Sequence, residues 1–450
     1  NTMVVEASGA LFLTGGNFAS ASANGVLLRY NDTGLDYTGI ALTVDSSDYL
    51  FVDMPSSSDL KTLTVTSLQA DFADFISVSG NFSFSVTGGE LIVVAENASA
   101  VVVAGSFSAG VNDGQIGLVN KADGTQALEA SGSLFVSGGD FSQLSANLAA
   151  VHFNTSNTAY TGTTIEAGEL SYTYSDLEAA LNLQVLSISG LQGEIGDFIS
   201  FGGNFVFERT TGAAGTQVRA VANSAYAFMQ AGDVRVGLDN GSFALILNTD
   251  DTKALQATGS LLVEGGEFAS ATATDITVNL NESTIDYSAA PITLTIDGIS
   301  ADLSSALNTE SITITDLALE FAGIFNLAGD CVFSRSGSFP NSVIEVAAND
   351  VTAALEAGGF SAGVQNGTLA MLLNDDNTSA LTATGNLLFQ GGGFASATAS
   401  AVEVNFNTTT KDYAAAPKTI ALAGVREDIV AAGDSSSVTI TGLDVQVGDF

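Results

Sequence analysis

The apolar residues of this chain follow a pattern that occurs four times. The second copy reads LEASGSLFVSGGDF from residue 128, and the others read VEASGALFLTGGNF, LQATGSLLVEGGEF and LTATGNLLFQGGGF from residues 5, 255 and 381. Before the double glycine, the core-like residues lie on alternate positions: Leu128, Ala130, Gly132, Leu134 and Val136. This period predicts a β-strand with one buried face.

The alternation changes phase at the double glycine. After Gly138–Gly139 the expected buried set has the opposite parity: Phe141, Gln143, Ser145, Asn147, Ala149, Val151 and Phe153. The other copies show the same change, from Leu13 to Phe18, Val263 to Phe268 and Phe389 to Phe394. An inserted residue explains it, and glycine suits a bulge or sharp bend in a strand. The pair therefore predicts a corner, because no GxGxxG run stands between a strand and a helix as a phosphate loop requires.

The copies are spaced almost evenly and no linker separates them. Their first glycines, Gly9, Gly132, Gly259 and Gly385, lie 123, 127 and 126 residues apart. We therefore predict repeats at 1–124, 125–251 and 252–377, with a partial repeat at 378–450. Independent domains are usually joined by exposed linkers. The pattern thus predicts an all-β fold of tandem antiparallel β repeats, stacked end to end as a continuous, elongated, β-solenoid-like rod. Tandem β-sandwich domains are the alternative.

Within each repeat the pattern predicts an antiparallel meander of roughly eight strands. A tyrosine recurs at Tyr37, Tyr160, Tyr287 and Tyr413. The variable segments that follow it, such as 38–60 and 288–307, are interpreted as loops. Turn-forming residues predict hairpin turns at 112–114, 239–241 and 365–367. A second turn, at 248–251 and 374–377, is predicted to lead into the next copy.

The charge of the chain limits its partners. Acidic residues outnumber basic ones by 49 to 11, which gives a net charge of −38. Nucleic-acid binding requires clustered Lys and Arg, so we predict no nucleic-acid partner. No window reaches the ~18 consecutive apolar residues of a membrane span, so we predict no membrane insertion. The expected partners are neighbouring repeats of the same chain or self-association, with extracellular glycans and divalent cations as further candidates.

Catalytic residue types are scarce, and we predict that the chain is not an enzyme. Cys331 aligns with Phe82 and Phe205, which predicts a core position rather than a nucleophile. His152, the single histidine, has the parity opposite to Val151 and Phe153 and is expected to face solvent. One His and one buried Cys cannot form a Ser-His-Asp triad, a Cys-His pair or a zinc site.

Two sets of polar residues suggest ligands or modification. Adjacent carboxylates in the predicted turns, Asp250 with Asp251 and Asp375 with Asp376, are calcium candidates because Ca²⁺ takes several oxygen ligands. The alternative is that Asp occurs there because it tolerates turn geometry. No other cofactor is expected. The chain also has about nine Asn-x-Ser/Thr sequons, which are weak evidence for glycosylation; four of them begin at Asn31, Asn154, Asn281 and Asn407.

The motif [LV]xA[ST]GxLxxxGGxF[AS]S, followed by an Asn-bearing turn with Tyr and later by DFISFGGNF, resembles tandem repeats of very large bacterial secreted or surface proteins of adhesin-like type. The resemblance covers nearly the whole chain and implies an extracellular or cell-surface location. No GGxGxD run is present, so the calcium site of secreted-toxin repeats is not implied. We therefore expect a structural component of an extracellular bacterial fibre, adhesin stalk or surface layer. A polysaccharide-binding or polysaccharide-cleaving secreted β-repeat protein is the alternative.

Both ends of the chain lie inside the pattern. Gly448-Asp449-Phe450 aligns with Gly196-Asp197-Phe198, and Asn1-Thr2 aligns with Asn377-Thr378. We therefore expect further copies before Asn1 and beyond Phe450.

Overall fold

The computed structural model describes residues 2–11, 18–57, 60–72, 76–179, 183–196, 198–212, 215–265, 268–321, 325–336, 342–357, 360–391 and 394–447. These residues form strands and turns, with no helix among them. Gly15 and Gly16 of the first corner, and the aligned end Gly448–Phe450, lie outside the described residues.

The strands follow the order of the repeats. The first repeat contains β1 (Val4–Gly9), β2 (Phe18–Ser22), β3 (Gly25–Asn31), β4 (Ala41–Val44), β5 (Ser47–Leu50), β6 (Leu60–Phe72), β7 (Ile76–Thr87), β8 (Glu90–Ala104) and β9 (Phe107–Asn120). The second contains β10 (Gln126–Ser137), β11 (Phe141–Ser145), β12 (Leu148–Asn154), β13 (Thr164–Ala167), β14 (Leu170–Thr173), β15 (Leu183–Ile195), β16 (Ile199–Gly212), β17 (Gly215–Ala231) and β18 (Val234–Asn248).

The third repeat contains β19 (Lys253–Glu264), β20 (Phe268–Thr272), β21 (Asp275–Asn281), β22 (Ile292–Ile296), β23 (Ile299–Leu303), β24 (Thr309–Phe321), β25 (Phe325–Ser336), β26 (Val343–Ala357) and β27 (Phe360–Asn374). The fourth contains β28 (Ser379–Gln390), β29 (Phe394–Thr398), β30 (Ala401–Asn407), β31 (Lys418–Leu422), β32 (Val425–Ile429), β33 (Ser435–Thr441) and β34 (Asp444–Val447).

One antiparallel sheet of 24 strands runs through all the repeats. Strand pairing continues across each predicted repeat boundary, from β9 to β10, from β18 to β19 and from β27 to β28. The turns at 249–252 and 375–378 join neighbouring strands of this sheet, as predicted. The all-β fold, with antiparallel repeats in one continuous elongated stack, is therefore confirmed in preference to separate sandwich domains.

The sheet coils around its own core. β8 contacts β17, and β17 contacts β26, although each pair is six strands apart along the meander. Phe72 of β6 packs edge-on against Phe153 of β12, with ring centroids 5.2 Å apart. One cluster of buried apolar residues extends from Val65 to Phe406. Six strands thus make about one turn, and successive turns share a single interior.

A row of β-bulges crosses each turn of the sheet. In the first turn the bulge row passes through neighbouring strands at Ser67, Gly80, Asn97, Asp113 and Gly132, where the pairing registers shift. It recurs at Gly190, Gly203, Ser224, Asn240 and Gly259, and again at Asp316, Gly329, Asp350, Asn366 and Gly385. A bulge adds a residue to one strand and bends it. A bend in every strand of a row curves the whole sheet.

The bulge row corrects the predicted hairpin turns at 112–114, 239–241 and 365–367. These segments lie in the middle of the long strands β9, β18 and β27. Asp113, Asn240 and Asn366 do have the positive φ that turn-forming residues favour, at 50°, 52° and 49°. The same conformation produces a bulge when the chain continues in its original direction. Local sequence could not separate the two outcomes.

The bulge row also explains the first glycine of the repeated motif. A Cβ atom built on Gly132 would lie 2.7 Å from the Cα of Gly114 and 2.7 Å from the carbonyl oxygen of Asn112. Gly259 faces Gly241 at the same distance, and Gly385 faces Gly367 likewise. Two backbones approach too closely here for any side chain.

The double glycine forms a corner, as predicted. β10 ends at Ser137, and β11 begins at Phe141 after three residues, Gly138, Gly139 and Asp140, with φ of 79°, 70° and 57°. The predicted burial of Gln143, Ser145 and Asn147 is wrong, because a further register shift lies between Ser142 and Ser145. Leu144 and Ala146 pack against the core instead.

Four short hairpins form a second layer outside the sheet. These outer hairpins are β4–β5, β13–β14, β22–β23 and β31–β32. They occupy the segments interpreted as loops from the sequence, so that interpretation is wrong. β13 and β14 lie over β8, with Ile165 and Tyr172 packed among Val94 and Val119. The sheet is therefore buried on both faces beneath the hairpins. The alternation of apolar residues along the sequence indicates one buried face and does not predict the second.

Gly132→Ala should destabilise the protein by about 1–3 kcal/mol, because the new methyl group would overlap the neighbouring backbone. The matched control is Gly9→Ala at the same motif position, where nothing lies within 4 Å of the added atom. Chemical denaturation of both variants tests this expectation. Equal losses of stability would show that the close approach at the bulge row is not what requires glycine.

Candidate functional site

A buried carboxylate joins the sheet to the outer hairpin of the second repeat. Glu129 of β10 accepts hydrogen bonds from the Tyr172 hydroxyl (2.8 Å), the Ser175 backbone N–H and hydroxyl (2.8 and 2.9 Å) and the Asp176 N–H (3.0 Å). Burial by itself raises the pKa of Glu129, but these donors together hold it below the ordinary value. The ionised carboxylate therefore fixes the end of the hairpin to the sheet.

The other repeats place a different acceptor at the same position. Glu6 accepts from the Tyr49 hydroxyl at 3.0 Å and the Val52 N–H at 2.8 Å. The side-chain oxygen of Gln256 accepts from the Ser304 hydroxyl at 3.0 Å, and the Thr382 hydroxyl accepts from the Val430 N–H at 3.0 Å. The chemical type varies while the acceptor role stays. The position therefore requires a hydrogen-bond acceptor for the hairpin and not one particular chemical group.

The predicted exposure of His152 is wrong. His152 of β12 pairs across the strands with Glu129, is only 5% exposed, and places its Nε2 3.5 Å from Glu129 Oε2. Burial lowers the pKa of His152; the carboxylates of Glu129, Asp176 and Asp297 oppose this effect without cancelling it. The face opposite to the core was expected to meet solvent, but the outer hairpin covers it.

A buried asparagine organises the loop before each outer hairpin. In the second repeat, Asn154 Nδ2 donates to the carbonyl oxygens of Thr158 (3.1 Å) and Glu178 (2.7 Å). Its Oδ1 accepts from the Ser156 N–H and hydroxyl, both at 2.8 Å. Every polar atom of the buried amide is therefore satisfied. The Asn154 side chain therefore connects the two ends of the segment from Thr158 to Glu178, which contains the outer hairpin.

The same hydrogen bonds recur at Asn31, Asn281 and Asn407, and all four side chains are buried. The structure thus corrects the glycosylation interpretation for these sequons. Their Ser or Thr is present because its N–H and hydroxyl donate to the asparagine two residues before. An amide enclosed in this way cannot carry a glycan in the folded protein.

Polar contacts also join successive turns of the sheet. Asp251, in the turn between β18 and β19, accepts hydrogen bonds from the hydroxyl and N–H of Ser106, which follows β8. One repeat later, Asn377 accepts from the Asp233 N–H and donates to its carboxylate, both at 2.9 Å. Lys253 adds an ion pair to Asp140 at 2.9 Å. The end of one strand is thus fixed to the beginning of its counterpart in the preceding repeat.

The calcium candidates lie at these turns. Asp250 accepts from the N–H (3.1 Å) and hydroxyl (2.6 Å) of Thr252, and Asp376 accepts in the same way from Thr378. These hydrogen bonds lower the pKa of both carboxyl groups. Asp375 lies beside Asp376 in the same turn, where its carbonyl oxygen lies close to Gly232.

Within the described ranges no group of three or more His, Cys, Asp or Glu residues could hold a metal ion. The observed roles of Asp250, Asp251 and Asp376 are turn geometry and turn-to-turn contact. Calcium binding at these turns stays a prediction.

Cys331 lies in the core, as predicted. Its side chain is buried, and burial raises the pKa of the thiol to about 12. A thiol that stays protonated at neutral pH is a poor nucleophile. The single cysteine is therefore a packing residue.

In the part of the chain that the structure describes, no helix is long and apolar enough to cross a membrane. Comparisons with protein-family models, curated proteins and solved structures find no match to this chain. The fold and its contacts therefore define the class: an all-β repeat protein with one coiled antiparallel sheet and a layer of outer hairpins.

Asn154→Ala should cost about 2–4 kcal/mol, because it leaves the carbonyl groups of Thr158 and Glu178 and the donors of the buried Ser156 without their partner. Asn157→Ala, at an exposed position in the same loop, should change stability little. Thermal unfolding of the two variants tests this. Equal melting temperatures would contradict the organising role of the buried amide.

His152→Asn should flatten the dependence of stability on pH between about pH 7.5 and 5.5. The folded state lowers the pKa of His152 below its ordinary value of 6.5, so the unfolded chain binds more protons below that pH. The native protein therefore loses stability as pH falls through this window, whereas Asn, which occupies the equivalent positions 279 and 405, does not titrate. Melting curves at both pH values provide the measurement. Identical pH dependence in the two proteins would overturn the assignment.

Proposed function

We propose that this protein is a structural component of an extracellular bacterial fibre, adhesin stalk or surface layer. The observation that carries the proposal is the unbroken hydrogen-bonded sheet and interior across all three predicted repeat boundaries. Bending such a stack at a boundary would break backbone hydrogen bonds and expose core residues. Length and stiffness are therefore the properties that this architecture supplies.

The organisation of each turn supports the same function. The outer hairpins β13–β14, β22–β23 and β31–β32 cover the sheet, and polar side chains tie each turn to the next. Buried backbone and few unsupported edges favour resistance to local opening and proteolysis. A net charge of −38 keeps long assemblies apart in solution. The extracellular location rests on the resemblance of the motifs to surface-protein repeats.

Polysaccharide binding is a second candidate, favoured by one local feature. Tyr226 and Phe228 stack on the outer side of β17, with ring centroids 5.8 Å apart, and the Arg235 guanidinium lies 5.0 Å from the Phe228 ring. Partly exposed aromatic rings can pack against sugar faces. The aligned residues Ser99 and Val101 of the first repeat lack these rings. A ligand here would occupy a local site rather than every repeat.

The structural proposal is tested by adding a repeat. β8 has 15 residues, which at about 3.3 Å per residue span roughly 50 Å. A second copy of residues 125–251 inserted after Asp251 should lengthen the particle by a constant increment of at most roughly 50 Å. Small-angle scattering should show an unchanged cross-section. A compact or flexibly jointed particle would contradict the proposal.

The same preparation separates the two candidates. The native protein and a Tyr226→Ala, Phe228→Ala variant are incubated with acidic and neutral polysaccharides, and sedimentation and release of reducing ends are measured. The structural proposal expects no release of reducing ends. Depolymerisation of a glycan would overturn it, and binding lost in the variant would support the second candidate.

A further inference from the structure

Two open grooves of the same construction lie on the outer face of the sheet, one in the first repeat and one in the third. The first groove has a volume of about 480 Å³ and the third a volume of about 280 Å³. The first is formed by β2, β6, β7 and β8, and the third by their counterparts β20, β24, β25 and β26. Volumes of this order are typical of clefts that bind small molecules.

The grooves stay open within the array of repeats. The third groove is open although two repeats precede it, and the first is open although two complete repeats and a partial one follow it. In the described part of the chain, neither a preceding nor a following repeat covers this face. The opening is therefore a feature of the individual repeats.

Each groove is lined by short polar side chains and one carboxylate. In the first groove, Asp71 lies opposite Ser77 on the neighbouring strand and accepts a hydrogen bond from its hydroxyl at 2.8 Å. In the third groove, Glu320 lies opposite Asn326 in the same way. Among the described lining residues, none is a Lys, an Arg or an aromatic residue. Hydrogen-bonding groups of this kind suit a neutral ligand with many hydroxyl groups, and the carboxylate disfavours an anionic one.

The second repeat fills the equivalent space with a ring of its own. Tyr226 stands at the position of Ser99 and Thr352, and its partner on the neighbouring strand is Gly202. A Cβ atom built on Gly202 would lie 2.4 Å from the Tyr226 hydroxyl oxygen and 2.5 Å from the ring carbon that carries it. The tyrosine ring therefore lies across Gly202, over the space that is open in the other two repeats. The chain itself thus shows that a six-membered ring with a hydroxyl group fits this space.

We propose that the grooves of the first and third repeats each bind a pyranose ring of a neutral polysaccharide. The sugar ring takes the space that Tyr226 occupies in the second repeat, and the polar side chains of the groove hydrogen-bond its hydroxyl groups. Hydrolysis of a glycoside generally uses a pair of carboxylates, whereas one carboxylate lines each groove. The inference is therefore binding without cleavage. Two such sites on one chain hold a long polysaccharide more tightly than either site alone.

This inference does not rest on the structural role proposed above, and it differs from sugar binding on the aromatic rings of β17. If those rings are the binding surface, removing them abolishes binding. If Tyr226 instead closes a groove, removing its ring adds a binding site. The two ideas therefore predict opposite results for one residue, and neither result affects the repeat-insertion experiment.

The test is calorimetric titration of the protein with neutral hexasaccharides of glucose, mannose, galactose and N-acetylglucosamine, and with oligogalacturonate as an anionic comparison. At least one neutral sugar should bind at two sites per chain. Both grooves are then closed with the arrangement of the second repeat, by Ser79→Gly with Ser99→Tyr and by Ala328→Gly with Thr352→Tyr. Closure should weaken binding by at least about tenfold, and oligogalacturonate should bind the native protein more weakly by a similar factor.

Two further variants keep the result specific. Tyr226→Ser should open the groove of the second repeat and raise the number of sites per chain by one. Ser171→Tyr, at an exposed position of β14, adds a tyrosine away from the grooves and should leave binding unchanged. Absence of saturable binding by every neutral sugar overturns the proposal, and so does equal binding by the protein with closed grooves. Self-association of the native protein that closure abolishes also overturns it, because a second copy would then be the occupant.

Discussion

The structure depends on antiparallel backbone pairing that continues from one repeat into the next. Each internal strand gains hydrogen bonds on both sides, and coiling of the sheet closes an apolar interior that no single repeat encloses alone. Strand pairing without curvature would give a flat sheet, and the apolar residues on one of its faces would be exposed to water. The bulge rows supply the curvature, since five of the six strands of a turn are bent at the same level. The glycines of the repeated motif follow from this constraint, because backbones meet there at van der Waals distance.

Burial of both sheet faces explains the outer hairpins. Where they cover the sheet, residues of both parities need partners, and a buried polar group must find a hydrogen bond. Glu129 and Asn154 meet that requirement with backbone groups of the hairpin and its loop. The polar residues thus fix where each hairpin lies, while the apolar residues beneath it supply most of the stabilisation.

The sequence predicted the features that depend on local alternation and glycine: the all-β meander, the corner at Gly138–Gly139 and the core position of Cys331. Prediction from the sequence failed where contacts with the outer hairpins or with neighbouring strands determine burial and backbone direction. His152 has the parity of a solvent-facing residue, and only the distant hairpin buries it. Asp113 and Asn240 have turn geometry, but pairing with neighbouring strands turns it into a bulge. The recurrence of Asn with Ser or Thr two residues later was a usable signal for the buried loop, because modification sites need not keep the repeat spacing.

The cross-strand pair beneath each hairpin keeps one hydrogen-bonding role while its chemical type changes. It is Glu6 with Arg29, Glu129 with His152, Gln256 with Asn279 and Thr382 with Asn405 in the four repeats. Catalysis depends on particular pKa values and proton positions, which these four pairs do not share. What they share is an oxygen acceptor for the hairpin and a polar partner across the ladder. A position that accepts a carboxylate, an amide or a hydroxyl group is constrained by hydrogen-bond geometry. That geometry fixes where the hairpin lies on the stacked sheet.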